Sequence, residues 1–393
     1  MQRFSYILSV LSFTIVSWAN AQTDLSKINF SHLYADRQEV LIHHLTSESP
    51  DSAEVLLSLF INQQKANLND YTFEWLTGSS YNSPFDVIDK SIIDSLYMGK
   101  QGTAHIMRFT IPRNRVNKQL VVRINSHFSA FTSYYDLKKS ALDLQLTDLD
   151  GKMSIKNWLA PGAYQLDSKD LLYGYFYQYE FPPALPPMPV RDGASDKDLS
   201  YDSAFRITPG AQLNFKNKGL ILIQQDSSSG LATGYRVESK YYPKLATLDQ
   251  LIDPLIYITT REEYAQLKKI NGDKKAFDKF WLNLATSSER AKKIIKHYYD
   301  RIENANSFFT TYKEGWKTDM GMIYTIFGPP DEVIKTNEGE KWHYLSSIDL
   351  PKLDFTFIRT ESIFSNNHYV LIRDKDYVSS WYRAIDLWRK GRI

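Results

Sequence analysis

The run EGWKTDMGMIYTIFGPPDEV, residues 314–333, decides how the rest of the chain is read, because the hydrophobic period changes on either side of it. Upstream, Ile294, Ile295, Tyr298, Ile302, Ala305, Phe309 and Tyr312 recur at helical spacing. One long helix should therefore run from a capping box at Thr286 and Glu289 to about Lys313, with Gly315 as its terminating glycine. Inside the run, MIYTIF reads as a short apolar strand bracketed by Gly321 and Gly328. Gly328-Pro329-Pro330-Asp331 reads as a corner, with Pro330 presetting a turn or helical start through DEVI. Downstream, KWHYLS, LDFTFIR and HYVLIRD read as strands. DYVSSWYRAIDLWRK then closes the chain as a helix with Val378, Trp381, Tyr382, Ile385 and Trp388 on one face. Two shorter helices precede the long one, capped by Thr260 with Glu263 and by Asp273. Residues 251–393 are thus expected to be an α+β domain of helices, an antiparallel meander and a final helix.

The rest of the chain has a different texture. Short segments such as EVLIHHLT, AEVLLSLFINQQ, YTFEWLTG, AHIMRFTIP and QLVVRINSHF are strand-like and separated by turn residues. They place a β-sandwich-like domain over 22–160. A second β domain over 161–250 follows, from LLYGYFYQYEF to GLATGYRVESKYY. The expected fold is multidomain, β-sandwich-like domains followed by α+β. Within the second block, residues 182–202 (PPALPPMPVRDGASDKDLSYD) have an extended Pro-rich start and an Asp/Ser-rich end. They read either as a connecting loop or as a peptide-like ligand for a partner.

The first residues, MQRFSYILSVLSFTIVSWANAQ, carry Arg3, an apolar stretch and Ala19-Asn20-Ala21, the pattern of an export signal over 1–21 with the mature chain starting at Gln22. No later segment has transmembrane length, and the expectation is an exported protein of the periplasm. The 393 residues contain no cysteine, which excludes disulfides, thiolate chemistry and a Cys-linked lipid anchor. With 47 Lys and Arg against 45 Asp and Glu, a net charge of +2 gives no electrostatic case for nucleic acid. His43 and His44 are adjacent on a strand and point to opposite faces, and no spacing among the histidines marks a metal site. No cofactor motif occurs.

The residues of the opening run have structural jobs to hand. Trp316 is placed to fold back on the helix, Thr318 and Asp319 to accept turn amides, and Trp342 and Tyr344 to lie near the Gly-Pro-Pro corner. The rival reading lines a cleft with Trp316, Asp319, Tyr324, Asp331 and Trp342, where aromatic platforms and two carboxylates would serve a polysaccharide or peptide as binder or hydrolase.

The run, with EKWHYL after it and DKFW and YYDRIENANSFF before it, closely resembles the GWxTD-domain family of exported bacterial proteins over roughly 250–393. Asp319-Met320-Gly321 departs from many members, which carry a basic residue between the Asp and the Gly. The resemblance makes Gly315, Trp316, Thr318, Asp319, Gly321, Tyr324, Gly328, Pro329, Pro330, Asp331, Trp342 and Tyr344 the motif residues. It implies a family with no established reaction, so no catalytic residue is assigned. The expectation is a non-enzymatic scaffold or adaptor that meets a protein partner in the cell envelope.

Overall fold

The computed structural model describes residues 22–392 apart from 140, 141, 143, 190–198, 227, 229, 271 and 286. The expected signal segment, the Asp/Ser-rich part of the 182–202 loop through residue 198, and Thr286 lie outside the described residues. Those that are described form 21 strands in five sheets, followed by a mostly helical region that ends in a small meander and a helix.

Two sheets make the first sandwich. One runs Gln22–Thr23, Phe85–Val87, Tyr71–Gly78, Gln119–Ser126 and Thr132–Asp136 in order of pairing; the other runs Val40–Glu48, Ser52–Ile61, Ala104–Pro112 and Asp94–Gln101. Alternation drives the packing: Val55, Leu57 and Phe109 of one sheet meet Trp75, Val122 and Ile124 of the other. The second sandwich pairs Gln145–Asp148, Gly162–Asp167 and Gln212–Phe215 against Trp158–Leu159, Ala232–Val237, Gly219–Gln224, Leu172–Tyr177 and Ser203–Ile207. Leu146, Leu166 and Leu213 face Ile221, Ile223 and Tyr235 across it. Strands 145–148 and 158–159 therefore hydrogen-bond within the later β block. Trp158–Leu159 joins Arg236–Val237 in parallel; the other paired strands are antiparallel.

The helices are α1 (Leu248–Ile252), α2 (Arg261–Leu267), α3 (Lys274–Leu284), α4 (Ser288–Phe309), α5 (Asp319–Phe327) and α6 (Tyr377–Arg389). Thr260 and Asp273 cap α2 and α3 as expected, and Ser287 caps α4. The meander Glu332–Lys335, Gly339–Tyr344, Leu353–Arg359 and Tyr369–Leu371 is antiparallel in sequence order.

Four local readings are corrected. MIYTIF is not a strand but the body of α5, because the Thr318 hydroxyl accepts from Gly321 N at 3.0 Å and starts a helix there. The long helix ends at Phe309, not at Gly315, and the glycine that terminates a helix is Gly328, at φ 89° after α5. DEVI contributes Glu332–Lys335, a strand rather than a helical start. In α6 the buried face is Ser380, Trp381, Ala384, Leu387 and Trp388; Trp381 and Trp388 lie on it as expected, but Val378 and Tyr382 of the expected stripe are exposed.

The C-terminal core is not built from its own segment alone. Leu25, Phe30 and Tyr34 from the start of the described chain, with Leu76, Phe85 and Val121 of the first sandwich, share one apolar cluster with Trp281, Tyr298, Phe309 and Trp342. Asn29 fixes the arrangement: its Nδ2 donates to Asp331 O at 3.0 Å and its Oδ1 accepts from Val333 N at 3.0 Å. Phe30 N donates to Val333 O at 2.8 Å. The Pro-rich start of the 182–202 loop lies along this same domain, where Ala184 N donates to Lys317 O at 2.9 Å and Asp374 N to Pro187 O at 3.1 Å. In the described part, this stretch is a strap bonded to its own chain.

Candidate functional site: the Gly-Trp corner

Residues 310–318 leave α4, cross back over it in a single 3-10 turn at Gly315–Lys317, and deliver the chain into α5. The crossing is close. A Cβ on Gly315 would lie 2.0 Å from Ala305 O, and one on Gly321 would lie 1.9 Å from Gly315 O. Both glycines are therefore demanded by backbone approach, which no side chain could relieve.

The fully buried Asn306 of α4 holds the corner. Its Oδ1 accepts from Trp316 N at 3.2 Å, and its Nδ2 donates to Pro243 O at 3.0 Å. The Trp316 ring is buried edge-on to Tyr257 at 5.8 Å, and the Tyr257 hydroxyl donates to Trp316 O at 3.1 Å. Thr318 donates to Gly315 O at 2.7 Å while capping α5.

The carboxylates of the motif also work on backbone. Asp319 Oδ2 accepts from Leu371 N at 2.8 Å, and Asp319 meets the Arg373 guanidinium at 2.7 and 3.2 Å. Arg373 in turn donates to Pro186 O and Leu185 O of the strap. Asp331 Oδ2 accepts from Leu345 N at 2.7 Å. Tyr344 donates to Gly328 O at 2.8 Å, close to the Gly-Pro-Pro corner as its position suggested. Trp342 is elsewhere: fully buried, it packs on Tyr34 and Phe357 and donates from Nε1 to Glu340 at 3.0 Å. Tyr324 is buried on α5 and donates to Asp36 at 2.8 Å. Pro330 is buried and Pro329 half-buried. The five residues proposed to line a cleft do not line one together: Trp316, Tyr324 and Trp342 are interior side chains, and both aspartates are taken up by amides of the chain itself.

Sequence reasoning passed over the charged half of the corner. Glu314, Lys317, Lys218, Arg236 and Glu238 meet where the second sandwich touches the C-terminal domain. Lys218 Nζ is 2.6 Å from Glu314 and 3.6 Å from Glu238; Lys317 Nζ is 3.0 Å from Glu314; Arg236 bonds Glu238 and lies 3.6 Å from Glu314. Glu180, at the foot of the strap, reaches Lys317 at 2.9 Å. Burial alone would push the Glu314 carboxyl up, but Arg236, then Lys317 and Lys218, hold it well below the usual carboxylate range. For Glu238 burial prevails and the carboxyl sits higher than usual, against the pull of Arg236. One signal was available: Arg236, in strand Ala232–Val237, and Glu238, just past its end, are two apart in extended chain and share a face.

Comparison with known proteins adds a family and little else. None of the curated proteins matches the chain. Among solved structures, "Crystal structure of Dpr2 Ig1-Ig2 in complex with DIP-Theta Ig1-Ig3" is similar at 14% identity over 51% of this chain, with a TM-score of 0.16. The chain spans 65% of that structure's length, and at such a TM-score the likeness carries no argument about fold. The GWxTD domain family matches residues 219–390, a span that takes in the last strands of the second sandwich, the Gly-Trp corner, the meander and all of α6. Over its C-terminal part, the corner included, this chain is similar to the GWxTD-domain family.

Proposed function

We propose that the protein is an exported, non-enzymatic scaffold that holds a protein partner in a cell-envelope complex. The observation that carries this reading is the inward use of the motif. Its aromatic rings fill the interior, and Asp319 and Asp331 accept backbone amides of their own chain. Such a corner builds a frame rather than presenting groups to a substrate. A partner has an edge to meet: Asp94–Gln101 is the outer strand of its sheet and exposes Leu96 and Tyr97, at 57% and 50% of their surface. The leader-like residues 1–21 support export.

Cross-linking in cells, followed by purification of the tagged native protein, tests the reading. A reproducible envelope complex is expected, and repeated recovery of the protein with no companion would overturn it. Asp319→Asn separates the scaffold from a hydrolase or glycan binder that uses the corner. It weakens the hold on Leu371 N and Arg373, so a structural corner loses about 1–3 kcal/mol of stability in a urea titration. An unchanged unfolding midpoint with loss of ligand binding or turnover would favour the rival.

A further inference from the structure

Where the two sandwiches and the C-terminal domain meet, they enclose a partly open cavity of about 260 Å³. Its charged lining is unevenly matched. Lys335 lies 3.6 Å from both Asp136 and Glu340, so these three answer one another. Lys138 and Lys156, also on the wall, have no carboxylate within 4 Å among the described residues. Lys138 Nζ instead donates to Asn367 Oδ1 at 2.6 Å and to the Tyr369 hydroxyl at 2.7 Å, and Lys156 Nζ rests 5.0 Å over the Trp158 ring. His43 and His44 add no charge, because burial, before all other causes, brings them down to about 3 and about 4. Two hydroxyls on the wall, those of Thr233 and the buried Thr311, have no hydrogen-bond partner.

Half-buried lysines with no carboxylate in contact and buried hydroxyls without partners are both poorly satisfied, and one bound group relieves both. We propose that this cavity binds a small organic anion, a carboxylate or a phosphate ester, with Lys138 and Lys156 supplying charge and Thr233 and Thr311 supplying donors. The volume lies just below the usual range for ligand pockets, about 300 Å³ upward, so the ligand is small. Trp158 and Phe308 on the wall offer apolar surface for its carbon part. The proposal is independent of the scaffold reading, which rests on the corner and the sheet edge.

Burial first, and then Lys335, brings the Lys138 amine down to about 7; Asp136 and Glu340 pull the other way, Arg359 adds to the lowering, and His44 Nε2 accepts the Lys138 backbone N–H. A bound anion draws a proton onto that amine. Affinity should therefore rise as pH falls, by about tenfold between pH 8 and pH 6, if one such proton is coupled.

The test is calorimetric titration of the full mature chain with succinate and with inorganic phosphate at pH 6 and pH 8. At least one should bind saturably at one equivalent, more tightly at pH 6, and the anion that does so identifies the class. Lys138→Met and Thr311→Val should each weaken it by about tenfold or more. Thr311→Val keeps shape and removes only an unpartnered hydroxyl, so its melting temperature without anion should not fall, and it decides the matter if Lys138→Met does not fold. Absence of saturable binding by either anion, or unaltered affinity in Thr311→Val, would overturn the proposal.

Discussion

Replacing Glu314 with Gln is expected to destabilise the protein by about 3–5 kcal/mol, the usual cost of removing one partner from a buried ionic group. Glu314 is 4% exposed and is approached by Lys218, Lys317 and Arg236 together. Its loss leaves Lys317 with the exposed Glu180, and Lys218 and Arg236 leaning on Glu238 alone among the buried carboxylates. The pH dependence follows from the sign of the shift. The Glu314 carboxyl sits lower in the folded chain than in the unfolded one, so its contribution is complete above the ordinary carboxylate value of about 4.3 and fades as pH falls below it. Urea titrations of wild type and Glu314→Gln should differ most near neutrality and converge toward pH 3. A gap that stays constant across that range would show that charge is not what Glu314 contributes.

Trp316→Ala is the second large effect, also about 3–5 kcal/mol, because it empties a buried indole site that surrounding backbone cannot collapse into. The ring lies in the angle between Tyr257 and the Gly315 crossing, and Trp316 N and O are both bonded, to Asn306 and Tyr257. The glycines that bring α4, the corner and α5 together leave no slack for inward movement. Fluorescence and far-ultraviolet circular dichroism should report the same lowered urea midpoint. A midpoint within experimental error of wild type would mean that the corner stands without its tryptophan. Trp316→Phe should recover most of the loss, since it keeps an aromatic edge for Tyr257.

How much of this was legible depends on length scale. Many strands of both sandwiches could be read because they are apolar, bounded by turn residues and in places alternate, as in Val40–Glu48 and Ala104–Pro112. Asp94–Gln101 was missed because an edge strand exposes nearly every side chain and shows no alternation. The helical identity of α5 was hidden by burial on all sides: a helix with Met320 through Ile326 all interior has no polar face, and its short apolar run is indistinguishable from a strand. The capping bond from Thr318 was the deciding feature, and it was read as a turn. For the site, the motif residues were found, but their neighbours were not. Arg373, Lys218 and Asp36 reach the motif residues from distant parts of the chain, and no local spacing announces such partners.

The insertion of Leu25–Tyr34 into the C-terminal core has a consequence for biogenesis. Asn29 bonds to Asp331 across a separation of 302 residues. Leu25–Tyr34, synthesised early, therefore find their place only after nearly the last residues have emerged, and closing so long a loop is a slow step. Nascent chains halted before the meander would hold Phe30 and Tyr34 without their cover, leaving them to a chaperone. A fragment cut at the family boundaries, 219–390, would in the same way lack the residues that seal it.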